Sequence, residues 1–143
     1  MKKLLALCCC LVVTLALPAA ESSGWTTDYP AALEQAKADD RRVFLFFTGS
    51  DWCSWCKRLN REILSTPEFK KFADDRLVLV ELDFPRSKAQ PAAVKAQNTQ
   101  LAQRFKIRSY PTIIVLDRSG TKIGQLGYQR GGPAPFIEAL GKM

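Results

Sequence analysis

Short apolar runs alternate along this chain with longer segments of helical periodicity, and that alternation restricts it to an α/β sheet covered by helices. In residues 42–48 the uninterrupted series Val43, Phe44, Leu45, Phe46 and Phe47, bounded by charged residues and Gly49, reads as a buried strand. Residues 30–38 before it are helix formers, with Pro30 suited to a first turn and Asp28 or Tyr29 leading in. Residues 21–28 read as a polar entry segment. In residues 54–64, Cys56, Leu59 and Ile63 recur at helical spacing, and Thr66 with Pro67 and Glu68 caps a further helix carrying Phe69, Phe72 and Ala73. A second strand is expected at residues 77–84. Pro91 then opens a helix whose stripe is Val94, Asn98, Leu101, Ala102 and Phe105. Asn98 is the polar member, and a buried amide in such a place is read as a local hydrogen bonder. Residues 112–117 and 121–126 form a hairpin around a turn at residues 118–120, and residues 133–140 a closing helix. The expected sheet is mixed and central.

With 143 residues, 47% of them hydrophobic and 24% charged, the chain fits one domain with a single active site. A core of that size needs no disulfide scaffold or structural metal. The first twenty residues stand apart: Lys2 and Lys3 precede an uncharged run that ends in Pro18, Ala19 and Ala20, the pattern of a secretory signal peptide. Retained, the same segment is at the short edge of a membrane anchor. The domain is therefore expected at residues 21–143. Cleavage removes Cys8, Cys9 and Cys10, leaving Cys53 and Cys56, and leaves nineteen bases against fourteen acids, a charge of about +5. The bases are scattered and form no run of five, which reads as a solvated surface and not as a nucleic-acid interface.

The chemistry is expected at Trp52-Cys53-Ser54-Trp55-Cys56-Lys57, where a strand ends and a helix begins. Cysteines three apart on a first helical turn can approach disulfide distance. The first sulfur faces unpaired backbone N–H groups and the positive end of the helix dipole, which lower a thiol from about 8.5 toward roughly 3.5 to 7.5. Cys53 is therefore expected to be the nucleophile and Cys56, one turn in and on the apolar face, the resolving thiol. Tetrahedral zinc needs four ligands, and two thiols with no histidine in the chain do not supply them. Cu(I) accepts thiolates, so copper carriage is a second use of the pair. Trp52 and Trp55 read either as a recognition surface or as core aromatics beside the helix.

At these residues the sequence resembles the thioredoxin-like family, above all its exported bacterial members. The resemblance rests on the Trp-Cys-x-x-Cys-Lys motif after a hydrophobic strand, on Tyr110-Pro111-Thr112 before another, and on Gly127-Tyr128 after the last. It spans about residues 30–140. It implies a cis Tyr110–Pro111 bond against the cysteine pair, Tyr110 offering backbone groups to an extended substrate, and Gly127 with Tyr128 as a further wall of the groove. Trp52, Ser54, Trp55, Tyr110, Pro111, Gly127 and Tyr128 are thus the expected substrate contacts. Four departures qualify the resemblance. Trp55 replaces the proline of thioredoxin, the connection at residues 86–99 is long, and Tyr110 stands where a smaller residue is common. Phe46 and Phe47 occupy the region of thioredoxin's buried acid, which leaves its proton-transfer role without a bearer. A single thiol titration, that of Cys53, is expected in consequence, Glu81 and Asp83 being the acids most able to add another.

The functional expectation is an exported thiol-disulfide oxidoreductase, a monomer without organic cofactor or metal. It would act on protein disulfides in the periplasm or outside the cell, as a reductant or in disulfide repair. A redox partner would reset its cysteines, and membrane contact arises only if the N-terminal segment is retained. The rival is a non-catalytic binding module, a thiol-tethering chaperone or Cu(I) carrier.

Overall fold

Alternation along one strand builds both halves of the core. In the computed structural model, which describes residues 24–143, strand β2 (Arg42–Thr48) turns Phe44 and Phe46 to one face of the sheet and Val43, Leu45 and Phe47 to the other. Strand β1 (Trp25–Thr26) precedes helix α1 (Tyr29–Asp39), and β2 runs through a turn into helix α2 (Ser54–Leu59). A π-helical turn (Asn60–Leu64), helix α3 (Pro67–Arg76), strand β3 (Leu77–Asp83) and helix α4 (Ala92–Arg104) follow. The hairpin β4 (Thr112–Leu116) and β5 (Lys122–Leu126) and helix α5 (Pro133–Gly141) complete the domain.

The sheet order is β1-β3-β2-β4-β5; β1, β3 and β2 are parallel, and β4 runs antiparallel to both β2 and β5, so the sheet is mixed. Helices α2, α3 and α5 cover the face of Phe44 and Phe46, where Phe44, Phe69 and Phe136 meet edge to face. Helices α1 and α4 cover the other face through Ala32, Ala36 and Leu101. The caps are those the sequence indicates. Asp28 Oδ1 accepts from Ala31 N–H at 2.9 Å, and Thr66 Oγ1 accepts from Phe69 N–H at 3.3 Å.

Two features differ from the expectation. β1 falls within the stretch read as a polar entry segment. It pairs Trp25 with Leu79 and Thr26 with Val80, and the Trp25 ring lies 6.0 Å from that of Phe44 and 5.9 Å from that of Phe46. The single helix expected over residues 54–64 is also interrupted. Ser65 N–H donates to Asn60 O at 2.8 Å, a five-residue closure that widens the turn and lets the adjacent Ile63 and Leu64 both enter the core. Other boundaries move by one or two residues, as helix and strand ends do. Asn98 is buried, as expected of a structural amide: its Nδ2 donates to Asp83 O at 3.0 Å, and its Oδ1 accepts from Gln97 Nε2 at 3.1 Å. The expected signal segment, residues 1–20, lies outside the described residues.

Candidate active site

The cysteine pair sits where β2 hands over to α2. Cys53 N–H donates to Gly49 O at 2.8 Å, closing the turn, and Cys53 becomes the N-cap of α2, its Sγ accepting from Cys56 N–H at 3.2 Å. Cys53 and Cys56 form a disulfide with Cα atoms 5.2 Å apart. Exposure hardly separates them, at 5% and 2%. What separates them is position: Cys53 Sγ caps the helix and takes a backbone N–H, while Cys56 lies one turn inside, against the sheet.

Trp52 is fastened into the site by its polar edge. Its Nε1 donates to Phe84 O at 2.8 Å, its ring meets Tyr110 edge-on at 5.6 Å, and the Arg86 guanidinium lies 4.0 Å from the ring centre. Gly49 makes room for it, since a Cβ there would run into the Trp52 indole. Trp55 is 48% exposed and leans on Tyr128, with ring centres 5.2 Å apart. Arg58 covers both rings and donates to Glu62 at 2.7 Å, and Tyr128 Oη donates to the other Glu62 oxygen at 2.6 Å. The hydrogen bond from Tyr128, then that from Arg58, hold Glu62 below the usual carboxylate range, and the same bond pushes Tyr128 up. Ser54 is exposed on the first turn of α2.

The Tyr110–Pro111 peptide is cis, as the resemblance implies. Tyr110 packs against both Trp52 and Phe84, and burial raises its phenol above the usual value. Gly127 stands beside this turn, with the Pro111 carbonyl 3.7 Å from where a Cβ would lie. Two parts of the surroundings had no counterpart in the sequence reading. Asp51 accepts from the backbone N–H groups of Arg86 and Ser87 at 3.1 and 2.6 Å, which depress its carboxyl, so the loop after β3 is tied to the cysteine turn. Glu62 is the hidden partner of Tyr128; the i,i+4 spacing of Arg58 and Glu62 was the available signal for half of that cluster.

Of the two acids the sequence marks as able to add a titration beside Cys53, Glu81 is the one that shares a cavity with the pair. In β3 it stands opposite Phe46, on the face that α2 covers, and it opens into a cavity of about 90 Å³ lined by Phe46, Thr48, Ser50, Cys56, Lys57, Asn60 and Glu81. Burial, then the charge of Asp83, push the Glu81 carboxyl above its usual value against the pull of Lys88. Phe47 points the other way, into the opposite core beside Phe84 and Phe105. A larger cavity of about 480 Å³ lies beside Trp25, Arg41, Asp74 and Leu77 and contains neither cysteine.

A redox-active dithiol capping a helix beside a cis-proline turn, on a mixed sheet covered on both faces, defines the thiol-disulfide oxidoreductases of thioredoxin type. The chain belongs to the thioredoxin-like family: the model of the thioredoxin-like domain matches residues 29–143. It is 37% identical over 122 residues to a disulfide bond reductase, DsbH, of Chlamydia pneumoniae, covering 85% of this chain and 73% of that one. A solved DsbH oxidoreductase superposes with a TM-score of 0.79 at 36% identity, covering 82% of this chain and 81% of that one. The thioredoxin-related protein DsbJ of Chlamydia pneumoniae is 31% identical, covering 85% of this chain but 38% of the longer relative. The chain is accordingly a thiol-disulfide oxidoreductase whose substrates carry thiols or disulfides.

Proposed function

We propose that this enzyme is exported and reduces protein disulfides, with Cys53 attacking the substrate and Cys56 resolving the mixed disulfide. The observation that carries the reading is the placement of Cys53 Sγ at the N-cap of α2, where it receives a backbone N–H and the positive end of the helix. A thiolate is stabilised there and not one turn further in. The cis turn at Tyr110–Pro111 and the Trp55–Tyr128 surface flank the pair, which supports an extended polypeptide as substrate, held by Trp52, Ser54, Trp55, Tyr110, Pro111, Gly127 and Tyr128. One chain supplies every one of these groups, in keeping with action as a monomer. The reducing direction is supported by likeness to a relative named as a disulfide bond reductase. Lys2 and Lys3 followed by an uncharged run support export to the periplasm or beyond.

In the reaction, Cys53 thiolate attacks one substrate sulfur, forming the mixed disulfide and releasing the other as a thiolate. Cys56 then attacks Cys53 Sγ, the second substrate sulfur leaves, and the Cys53–Cys56 disulfide forms. Two electrons have passed to the substrate, and a dithiol partner must return them. Incubating reduced Cys56→Ser protein with a disulfide substrate tests the assignment: covalent adducts are expected on Cys53 by mass mapping. Adducts confined to Cys56 in Cys53→Ser protein would reverse the roles.

A further inference from the structure

Each tryptophan beside the cysteines carries an arginine on its ring, and the two arginines differ in how their charge is met. The Arg58 guanidinium lies 5.5 Å from the Trp55 ring centre and 5.4 Å from that of Tyr128, and its Nε donates to Glu62 at 2.7 Å. That charge has its counterion within the fold. The Arg86 guanidinium lies nearer its ring, 4.0 Å from the Trp52 centre, and among the described residues no carboxylate pairs with it. Asp51 accepts from the backbone N–H of Arg86 and not from its side chain.

Arg86 is nonetheless held in place. Its backbone is tied to Asp51, two residues before Cys53, and its side chain lies on Trp52, the neighbour of Cys53. Trp52 is fixed in turn by the bond from its Nε1 to Phe84 O at 2.8 Å and by the Tyr110 ring, 5.6 Å away. A long side chain pinned in this way has already lost much of its rotamer freedom, so an ion pair formed on it costs less entropy than one on a free lysine. A guanidinium over a ring also keeps its in-plane N–H donors, a fork that a carboxylate matches bidentately.

The other charges on this side of the cysteine turn have partners or lie deeper. Lys57 Nζ donates to Asp51 O at 3.0 Å, Lys88 Nζ to Ser50 Oγ at 3.4 Å, and Asp83 accepts from Ser50 N and Oγ at 2.8 and 2.5 Å. Glu81 is half-buried on the sheet face that α2 covers. Arg86 is exposed, and it is the cation this side offers to an incoming chain.

We propose that Arg86 binds a carboxylate of the client, an aspartate or glutamate side chain beside the cysteine that Cys53 attacks, so that the enzyme prefers acidic disulfide substrates. The proposal deepens the reading of the protein as a reductase of polypeptide disulfides with Cys53 as nucleophile, and rests on it. The ion pair takes no part in the sulfur exchange. It is made equally in the bound substrate and in the transition state, so it acts through KM and leaves kcat to the cysteines.

The experiment uses the full chain and peptide disulfides that differ only at one position beside the reactive cysteine, glutamate, glutamine or lysine, with both flanks tested in turn. At low salt the glutamate peptide should exceed the glutamine peptide in kcat/KM by about 3- to 10-fold on one flank, between the scale of an exposed ion pair and that of a charge-assisted hydrogen bond. The lysine peptide should be the poorest, and the differences should lie in KM. In about 1 M salt, where the screening length is about 3 Å, the preference should shrink to less than about twofold. Arg86→Gln should bring the three peptides within about twofold of one another at low salt. Arg86→Lys, which keeps the charge and loses the fork, should retain part of the preference. Equal kcat/KM for the three peptides on both flanks with the unaltered protein overturns the proposal and needs no variant. So does Arg86→Gln protein that slows all three by one factor and keeps the preference, since Arg86 would then serve only to hold Trp52. Failure of the underlying reading looks different: none of the peptides is reduced, or adducts form on Cys56, whereas failure of this proposal alone leaves all three reduced through Cys53 at one rate.

Discussion

The two faces of the sheet receive alternate residues of the same strands yet tolerate polarity differently. Beneath α1 and α4 the core is Val43, Leu45, Phe47, Val78, Val80, Leu82, Ile114 and Leu116, and its buried amide Asn98 spends its hydrogen bonds on the protein itself. Beneath α2 the aromatic cluster gives way, toward the cysteines, to a cavity that admits a carboxylate. A polar group on the first face serves the fold; on the second it lines a cavity together with Cys56. Substitutions on the two faces should therefore separate activity from stability.

The largest expected effect is on activity alone. Cys53→Ser should bring disulfide reduction down to the uncatalysed rate while the melting temperature of the reduced protein stays close to that of the unaltered chain; turnover on a peptide disulfide and calorimetry together check it. On the opposite face, Leu45→Ala should destabilise by about 2 to 5 kcal/mol through lost burial and a cavity, with turnover per folded molecule preserved, as read by urea unfolding. Loss of turnover greater than loss of folded protein would erase the distinction between the faces. Asn98→Leu should cost about 0.5 to 1.5 kcal/mol, because Asp83 O loses one donor and keeps Gln90 Nε2, with little change in kcat/KM.

The smallest effect sharpens the comparison from the reactive side. A carboxyl raised in the folded state above its unfolded value contributes no penalty at low pH and a growing one as pH climbs from the unfolded value toward the folded one. Glu81→Gln should therefore raise the melting temperature slightly at pH 7. The gain should vanish below pH about 4.3, where the carboxyl is protonated in both states. Scanning calorimetry across that range checks the sign. A lower melting temperature at pH 7 would mean that the charge is a structural partner.

Much of this was legible in the sequence because it is local. The apolar run of β2, the caps at Asp28 and Thr66 and the hairpin of β4 and β5 each depend on residues within a few positions. So does the cysteine spacing. β1 was not legible, since two residues carry no period and its pairing is decided by the distant β3. Nor was the π turn: Cys56, Leu59 and Ile63 suit a regular helix, and only the packing of Leu64 beside Ile63 demands the wider closure. Glu81 required knowledge of register. Only the parallel pairing of β2 with β3, which sets it opposite Phe46, turns its carboxylate toward Cys56, while Phe47, next to Phe46 in the chain, faces away.

The carboxylate of Asp51 joins the cysteine turn to a loop 35 residues away, and it does so through backbone N–H groups, which every residue but proline carries. The join is thus blind to the side chains at positions 86 and 87. Substitutions there can change what the enzyme presents to a client, beginning with the cation over Trp52, without loosening the attachment. On the proposed assignment of Trp52 to the substrate surface, the cation over its ring can therefore vary while the loop stays attached.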